Sequence, residues 1–277
     1  MLNINASNER LDSELHLAIN GGNINISSGN DGINTNEDGV SVTTINGGTL
    51  RIKVTGETGE GDGIDSNGWL VINGGTVVAE ACSQSADAGI DSDMGIHING
   101  GTVIATGSML DRIEEGGQNY TVFNFGDRQK ENSSIILKNE ASETIRKFDV
   151  ENAYSILVYS SPELTEGTYT LWNGEEQLSG YTGNVFGGIP GMMPEEVKPN
   201  GEPSEMPANS KPQNRPEKPE GEMPPMEHMP PEGGERPEKP EDSKGEFAPP
   251  EFHGDFNGGE LTEKFKIENG GNMFVVD

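Results

Sequence analysis

Apolar and polar residues alternate along several short segments of the chain. The segment TLRIKV, which starts at residue 49, places Leu50, Ile52 and Val54 on one face and Arg51 and Lys53 on the other. The segments NINIS, TVVAEA and TVIATG repeat this alternation. A period of two residues is typical of a β-strand with one buried face. The first 110 residues are therefore predicted to form short strands.

The strands recur with a fixed period. The tetrapeptide INGG precedes each of these segments, and its asparagines are 26, 27 and 26 residues apart: Asn20, Asn46, Asn73 and Asn99. Such a period is typical of a parallel β-helix, in which each coil buries its apolar face only by stacking on its neighbours. We expect the asparagines to stack as a buried, hydrogen-bonded ladder, with the glycines forming tight corners.

The chain is predicted to contain four regions. They are regular coils (residues 1–110), irregular C-terminal β coils or a cap (111–186), a disordered insertion (187–259) and terminal strands that return to the body (260–277). The insertion holds 16 of the 17 prolines and alternates acidic with basic residues, a composition that predicts disorder. The opening LNINAS resembles the strand that follows an INGG corner, so we expect the chain to begin within a coil and further coils to lie upstream.

Charge and composition narrow the possible functions. The formal net charge of −29 argues against nucleic acid and anionic membranes as partners, and fits a secreted, surface or cation-binding protein. No apolar run approaches the roughly 20 residues that span a bilayer, and the first residues lack the pattern of a signal peptide. The single cysteine, Cys82, excludes an intrachain disulfide.

A second motif places acidic side chains at the corners. It is written DGIN, DGID and AGID, starting at residues 31, 62 and 88. Stacked coils would align the following columns: Asn34, Asp65 and Asp91; Asn36, Asn67 and Asp93; and Asp31 over Asp62. Carboxylates stacked roughly 4.8 Å apart repel one another, and a Ca²⁺ ion with its oxygen ligands would neutralise them. Glycine permits a positive φ, which would turn backbone carbonyls toward the ion. Solvated turns without a metal are the alternative.

Outward side chains are candidates for ligand binding. Arg51 and Lys53 would hold sugar carboxylates, with arginine using its planar fork. A cross-coil pair between Lys53 and Glu80 is the alternative structural interpretation. Trp69 and Trp172 are candidate platforms for a sugar ring, although packing in the core is the favoured interpretation for both.

Two segments resemble a known family. GDGIDSNGWLVINGGTVVAEA and AGIDSDMGIHINGGTVIATG are similar to the secreted bacterial carbohydrate-binding β-helix family described for clostridial pectin- and cellulose-binding proteins. The resemblance implies a right-handed parallel β-helix, bound calcium, an extracellular or cell-surface location, and binding of polygalacturonate, pectin or cellulose. By motif, the acidic calcium positions of that family correspond to Asp62, Asp65, Asp91 and Asp93, and also to Asp31 and Asp87. Ala88 and Asn34 depart from the family's pattern.

We therefore expect a noncatalytic, calcium-dependent carbohydrate-binding protein. Its expected metal ligands are Asp31, Asp62, Asp65, Asn67, Asp87, Asp91 and Asp93, and its expected ligand-binding residues are Arg51 and Lys53. A calcium-dependent polysaccharide lyase is one alternative, but it needs an Arg or Lys base beside the bound uronate. None of the candidate bases, Arg51, Lys53 and Arg112, lies in a DGID corner. A surface scaffold or adhesin stalk without glycan binding is the other alternative.

Overall fold

The computed structural model describes residues 1–5, 11–183 and 261–277, and the predicted insertion at 187–259 lies outside the described residues. These residues form β-strands and contain no helix, so the described part has no helix long and apolar enough to cross a bilayer. The strands of the coils are β1 (Leu2–Asn5), β2 (Leu11–Ser13), β3 (His16–Ile19), β4 (Asn23–Ser28), β5 (Ile33–Thr35), β6 (Val42–Ile45), β7 (Thr49–Val54), β8 (Ile64–Ser66), β9 (Trp69–Ile72), β10 (Thr76–Glu80), β11 (Gly95–Ile98) and β12 (Thr102–Gly107). Those that follow are β13 (Tyr120–Gln129), β14 (Ser133–Asn139), β15 (Thr144–Val150), β16 (Tyr154–Ser160), β17 (Gly167–Asn173), β18 (Glu176–Gln177), β19 (Gly180–Gly183), β20 (Phe265–Ile267) and β21 (Gly271–Val276).

Successive coils build three parallel sheets. Strands β1, β4, β7, β10 and β12 form the parallel part of sheet A. Strands β2, β5 and β8 form sheet B, and β3, β6, β9 and β11 form sheet C. The chain visits sheets A, B and C in turn, and the first three coils each add one strand to each sheet. In the fourth coil, between β10 and β11, an isolated bridge between Ile64 and Ile90 takes the place of a strand in sheet B. This arrangement confirms the prediction of an all-β parallel solenoid, which has about four turns.

The interior of the solenoid consists of aliphatic columns. Ile26, Ile52 and Ala79 lie opposite one another in adjacent strands of sheet A, and all three are buried. Ile45 and Ile72 are aligned in the same way in sheet C. Stacking repeats the same contact from coil to coil, which is why alternating segments with a fixed period form this structure.

The INGG corners form the predicted asparagine ladder. Each side-chain Nδ2 donates to the Oδ1 of the preceding coil, at 2.8 Å for Asn46 to Asn20, 2.8 Å for Asn73 to Asn46 and 2.9 Å for Asn99 to Asn73. The prediction that these side chains are buried is wrong, because all of them are exposed on the outside of the corner.

The second glycine of each INGG corner fits because it has no side chain. Gly48 has a φ of 91°, and a Cβ at this position would lie 2.5 Å from the carbonyl oxygen of Gly22. Both the backbone conformation and the close approach of the next coil therefore require glycine.

After the coils, the chain forms a layer in which most strand pairs are antiparallel, which we call the antiparallel layer, although β13 and β21 pair in parallel. Sheet A continues with β16, which is antiparallel to β12, and then with β13, β21 and β19. Sheet D contains β15, β14, β17 and β18, and the late strand β20 pairs with β17. A second hydrophobic core contains side chains from both sheets, including Phe123, Phe148, Tyr159, Phe265 and Phe274. Val78 and Ile104, on the outer face of sheet A, are part of this second core or pack against it.

Candidate functional site

The second repeat places an acid column on sheet B. Asn34 lies opposite Asp65 in the pairing of β5 with β8, and a bridge between Ile64 and Ile90 places Asp91 in the next position. These three side chains, Asn34, Asp65 and Asp91, are partly buried, and we call them the acid column. The predicted stacking of these positions is confirmed by this register.

Three further aspartates hold the backbone of a neighbouring coil. The Asp31 carboxylate accepts the backbone N–H of Asp62 at 2.8 Å, and the Asp62 carboxylate accepts that of Ala88 at 2.6 Å. The Asp87 carboxylate accepts the N–H of Gly61 at 2.6 Å. These bonds give the acids a structural role at the corner that requires no metal.

Asp111 lies beside the acid column, and we did not predict it from the sequence. Its Oδ2 accepts the backbone N–H of Ser92 at 2.8 Å, next to Asp91. The order Leu110–Asp111 repeats the apolar–acidic order of Ile64–Asp65, and Leu110 is buried in the solenoid core. That short similarity was the available signal, but no INGG corner follows at the usual spacing.

Burial and mutual repulsion raise the pKa values of these acids. Burial is the largest cause for each, followed by the carboxylate of Asp91 for Asp62, of Asp31 for Asp65 and of Asp111 for Asp91. The pKa of Asp62 is raised to about 9, and the pKa values of Asp65 and Asp91 are raised to about 7. At neutral pH this group therefore favours binding of protons or of a cation.

Two of the predicted metal ligands, Asn67 and Asp93, lie at the edge of the acid column. Asn67 donates its side-chain N–H groups to the Asp38 carboxylate at 3.0 Å and to the Asn36 carbonyl at 3.1 Å. Asp93 is exposed, and its charge contributes to the raised pKa values of Asp65 and Asp91. The amide nitrogen of Asn67 is thus bound to the corner at residues 36–41, between β5 and β6 of the preceding coil.

The donor chemistry of the acid column fits a hard cation, but its present spacing does not enclose one. The side-chain Oδ1 of Asn34 is buried and accepts no hydrogen bond. Carboxylate and amide oxygens are the ligands that Ca²⁺ prefers. Within residues 1–5, 11–183 and 261–277, however, no three His, Cys, Asp or Glu side chains converge in a group that could hold a metal ion. Binding would therefore require these side chains to turn toward one another.

The glycine of the DGID corner is required by space and not by a positive φ. The φ of Gly63 lies outside the left-handed region, whereas Gly59 and Gly61 in the same acidic turn have φ values of 88° and 138°. The positive φ that we expected in this turn therefore occurs before Asp62, and the direction of these carbonyls toward an ion stays a prediction. A Cβ at Gly63 would lie 2.3 Å from the carbonyl oxygen of Gly89 and 2.9 Å from the Cβ of Ala79. Its small size therefore allows neighbouring coils to approach closely beside the acids.

Arg51 lies on an open polar face of sheet A. Its neighbours in register are Asn25 and then Asn3, and the Asn25 amide donates to Asn3 Oδ1 at 2.8 Å. Arg51 is exposed and makes no ion pair or hydrogen bond with the residues that the structure describes. The next residue in this row is Val78, which packs against the second core. Arg51 is thus the last open position before the antiparallel layer covers sheet A.

Lys53 is bound to a different partner from the one predicted. Its Nζ lies 2.6 Å from Glu151 Oε2. Glu80 is opposite Lys53 in register, but its buried carboxylate accepts the backbone N–H groups of Glu151 and Asn152 at 2.9 and 2.8 Å. The predicted Lys53–Glu80 pair is therefore wrong, because the turn after β15 supplies closer partners for both side chains.

Both tryptophans lie on outer faces, so the favoured prediction of packing in the core is wrong. Trp69 is partly buried on sheet C and stacks on His97, with ring centroids 5.2 Å apart. Trp172 is partly buried on sheet D, and Lys138 Nζ lies 4.1 Å from its ring centroid. Each ring has a neighbouring side chain that covers part of it.

The fold and the outward side chains define a parallel β-solenoid with an acidic face on sheet B and a polar face on sheet A. Residues 1–116 match the sequence model of a family described as "Carbohydrate-binding domain-containing protein". The match covers all strands of the parallel coils, and it spans 116 of the 277 residues. No curated protein and no solved structure matches the chain significantly.

Proposed function

We propose that this chain is a noncatalytic, calcium-dependent binding protein for an acidic polysaccharide such as polygalacturonate, and that it acts outside the cell or at the cell surface. The family match supports carbohydrate binding over residues 1–116. The observation that carries the choice of an acidic sugar is the exposed Arg51 guanidinium, which has no partner among the described residues.

The sugar polymer lies on the open face of sheet A. Guanidinium groups bind carboxylates through two parallel hydrogen bonds, which suits Arg51 to a uronate. Asn3 and Asn25 present amides beside it for the sugar hydroxyls. Lys53 contributes less, because its ammonium group is already paired with Glu151.

Calcium contributes by making the coils more rigid and by reducing the repulsion between the acidic protein and an acidic polysaccharide. The formal charge of −29 repels a polyanion, so added positive charge favours binding. The residues that would hold the ion are Asp65, Asp91 and Asp93, with the amide oxygen of Asn34. The raised pKa values of Asp65 and Asp91 and the unpartnered Asn34 oxygen support this assignment.

The positions of the basic residues favour binding over lyase chemistry. A lyase needs a base close to the calcium-bound uronate. Arg51 lies on sheet A, whereas the acid column lies on sheet B. Lys53 is paired with Glu151, and Arg112 is paired with Glu114 at 2.7 Å.

The test is binding of the whole chain to polygalacturonate in calcium and in EDTA. We expect EDTA to weaken binding about ten-fold or more, and Arg51→Ala to weaken binding in calcium about ten-fold, as for loss of a charged hydrogen-bonded contact. Lys147→Ala, which removes an equal charge on sheet D, is the matched control and is expected to bind like the wild type. Wild-type binding by Arg51→Ala would contradict the assigned face. An absorbing unsaturated product would favour the lyase, and absence of binding under both conditions would favour a scaffold.

A further inference from the structure

Two aromatic rings stack on the outer face of sheet C. Trp69 in β9 lies opposite Gly95 in β11, so His97 is its diagonal neighbour. The ring centroids are 5.2 Å apart and the ring planes differ by 30°. Because Gly95 has no side chain, β11 itself places no side chain directly opposite Trp69. The pair therefore offers an apolar surface that spans adjacent coils.

Two polar groups lie beside this pair. A Cβ at Gly95 would lie 2.4 Å from Glu114 Oε1, so the Glu114 carboxylate fills the position next to Trp69. Arg112 Nε lies 2.7 Å from the same oxygen in an ion pair, and the two side chains are 47% (Arg112) and 30% (Glu114) exposed. The backbone of Arg112 and Glu114 bonds to Ile96, which fixes both residues against β11. A carboxylate and a guanidinium are thus held at the rim of the aromatic surface.

We infer that this surface is a second carbohydrate site, which binds the apolar face of a neutral pyranose ring on Trp69 and His97. Glu114 and Arg112 bond to the ring hydroxyls. A sugar ring has C–H groups on its faces and hydroxyls at its edge, so it needs an aromatic surface with a few polar groups at the margin. The inference rests on the proposed carbohydrate-binding function, and it extends that function to sugars without a carboxylate.

The chemistry of sheet C favours a neutral sugar over a uronate. The outward side chains of β6, β9 and β11 are Val42, Thr44, Trp69, Val71 and His97, and none carries a carboxylate. The one guanidinium at the rim, Arg112, is already paired with Glu114. A uronate carries the same charge as the Glu114 carboxylate at the rim and would be repelled by it. Binding here is therefore expected to need no calcium.

Apolar side chains continue the surface at the corner before sheet C. Val40 is 56% exposed and Met94 is 36% exposed. A Cβ at Gly39 would lie 3.8 Å from the sulfur of Met94, so the corner at residues 36–41 and Met94 adjoin each other. The whole surface lies within the residues that match the carbohydrate-binding family.

Fluorescence provides a direct test, because the chain has two tryptophans. Trp172→Phe leaves Trp69 as the sole indole fluorophore, and we expect titration with cellohexaose in EDTA to change its emission in a saturable way. By calorimetry, Trp69→Ala is expected to raise the Kd for cellohexaose about ten-fold or more, and Glu114→Gln several-fold. Trp172→Ala is the matched control and is expected to leave the Kd unchanged. Melting curves verify that each variant is folded.

The outcomes separate this inference from the proposed function. Unchanged Trp69 emission, or a Trp69→Ala variant with wild-type affinity for cellohexaose, would overturn the sheet C site, while calcium-dependent binding of polygalacturonate would still stand. Loss of polygalacturonate binding in Arg51→Ala with cellohexaose binding retained would support two separate sites. A wild-type chain that binds neither sugar would remove both proposals.

Discussion

The regular coils and the antiparallel layer are both all-β, yet their cores are filled differently. The coils use aliphatic columns such as Ile33 and Ile64, which lie opposite each other in register. The antiparallel layer uses aromatic side chains, with Phe265 and Phe274 at a centroid distance of 5.0 Å. In the coils, equivalent side chains of neighbouring strands contact one another, so identical aliphatic residues pack well. Two facing sheets lie about 10 Å apart, and large side chains fill the space between them. A repeated sequence is needed only where the geometry itself repeats.

Sheet A is shared by the two cores. Val77 and Val103 point into the solenoid, while Ile104 on the opposite face belongs to the aromatic core. Damage to one core therefore removes support from the other, and we expect the described body to unfold as one unit.

Phe274→Ala is expected to lower the free energy of unfolding by about 4 kcal/mol, because it removes a buried ring that contacts Phe123 and Phe265. Ile64→Ala in the solenoid is expected to cost about 3 kcal/mol. Denaturant unfolding followed by circular dichroism measures both. Each variant is expected to shift one common transition. Two separated transitions would show that the cores unfold independently.

Glu80→Ala is expected to cost about 2–3 kcal/mol, because the backbone N–H groups of Glu151 and Asn152 lose their buried acceptor. These bonds join the coils to the antiparallel layer. Lys53→Ala removes the nearby ion pair with Glu151, whose side chains are 39% (Lys53) and 63% (Glu151) exposed. We expect that control to cost about 0.5 kcal/mol or less in the same denaturation experiment. Equal costs for the two variants would contradict the assigned roles.

In EDTA, stability is expected to fall as the pH rises from about 4 to 9. The folded state holds protons on Asp62, Asp65 and Asp91 above their ordinary pKa of 3.8, so it binds more protons than the unfolded state over this range. Solvent screens the charges of these partly exposed groups, so we expect the free energy of unfolding to fall by about 2 kcal/mol over this range. Melting at several pH values measures it, and calcium is expected to flatten the slope.

Asp62→Asn keeps the acceptor for the Ala88 N–H and removes the titrating charge, so it is expected to flatten part of the same slope. Asp149→Asn is the control on sheet D. Its exposed carboxyl has a pKa lowered by the hydrogen bond from Lys147, so its stabilising effect is lost only as the pH falls into the acid range. A slope that Asp62→Asn leaves unchanged would show that the corner aspartates are fully charged in the folded state.

Asn46→Ala is expected to cost about 1 kcal/mol, because it breaks the hydrogen bonds to Asn20 and Asn73 at an exposed corner. Asn99→Ala breaks a single bond of the ladder, so about half that cost is expected. Thermal melting of the two variants compares them. A larger effect for Asn99 would indicate that the ladder is not additive.

The repeat made the solenoid and its register predictable from the sequence. The spacing of the INGG asparagines predicted the ladder, but not its exposure, because the direction in which a corner side chain points depends on the turn. Asp111 was missed because its coil has no INGG corner. The partner of Lys53 was missed because Glu151 lies 98 residues away, in a layer that has no internal repeat.

Equivalent positions stay aligned from coil to coil, as Thr49, Thr76 and Thr102 do in sheet A. Loss of one residue within a strand would exchange the inward and outward faces for the residues that follow it in that strand. A corner can absorb such a change, since the INGG asparagines are 26, 27 and 26 residues apart and the strands still stay in register. Duplication or loss of a whole coil would instead keep all later strands in phase. The gene can therefore lengthen or shorten this protein in whole-coil steps, and each added coil extends the outer faces of sheets A and C by one further strand without redesign of the core.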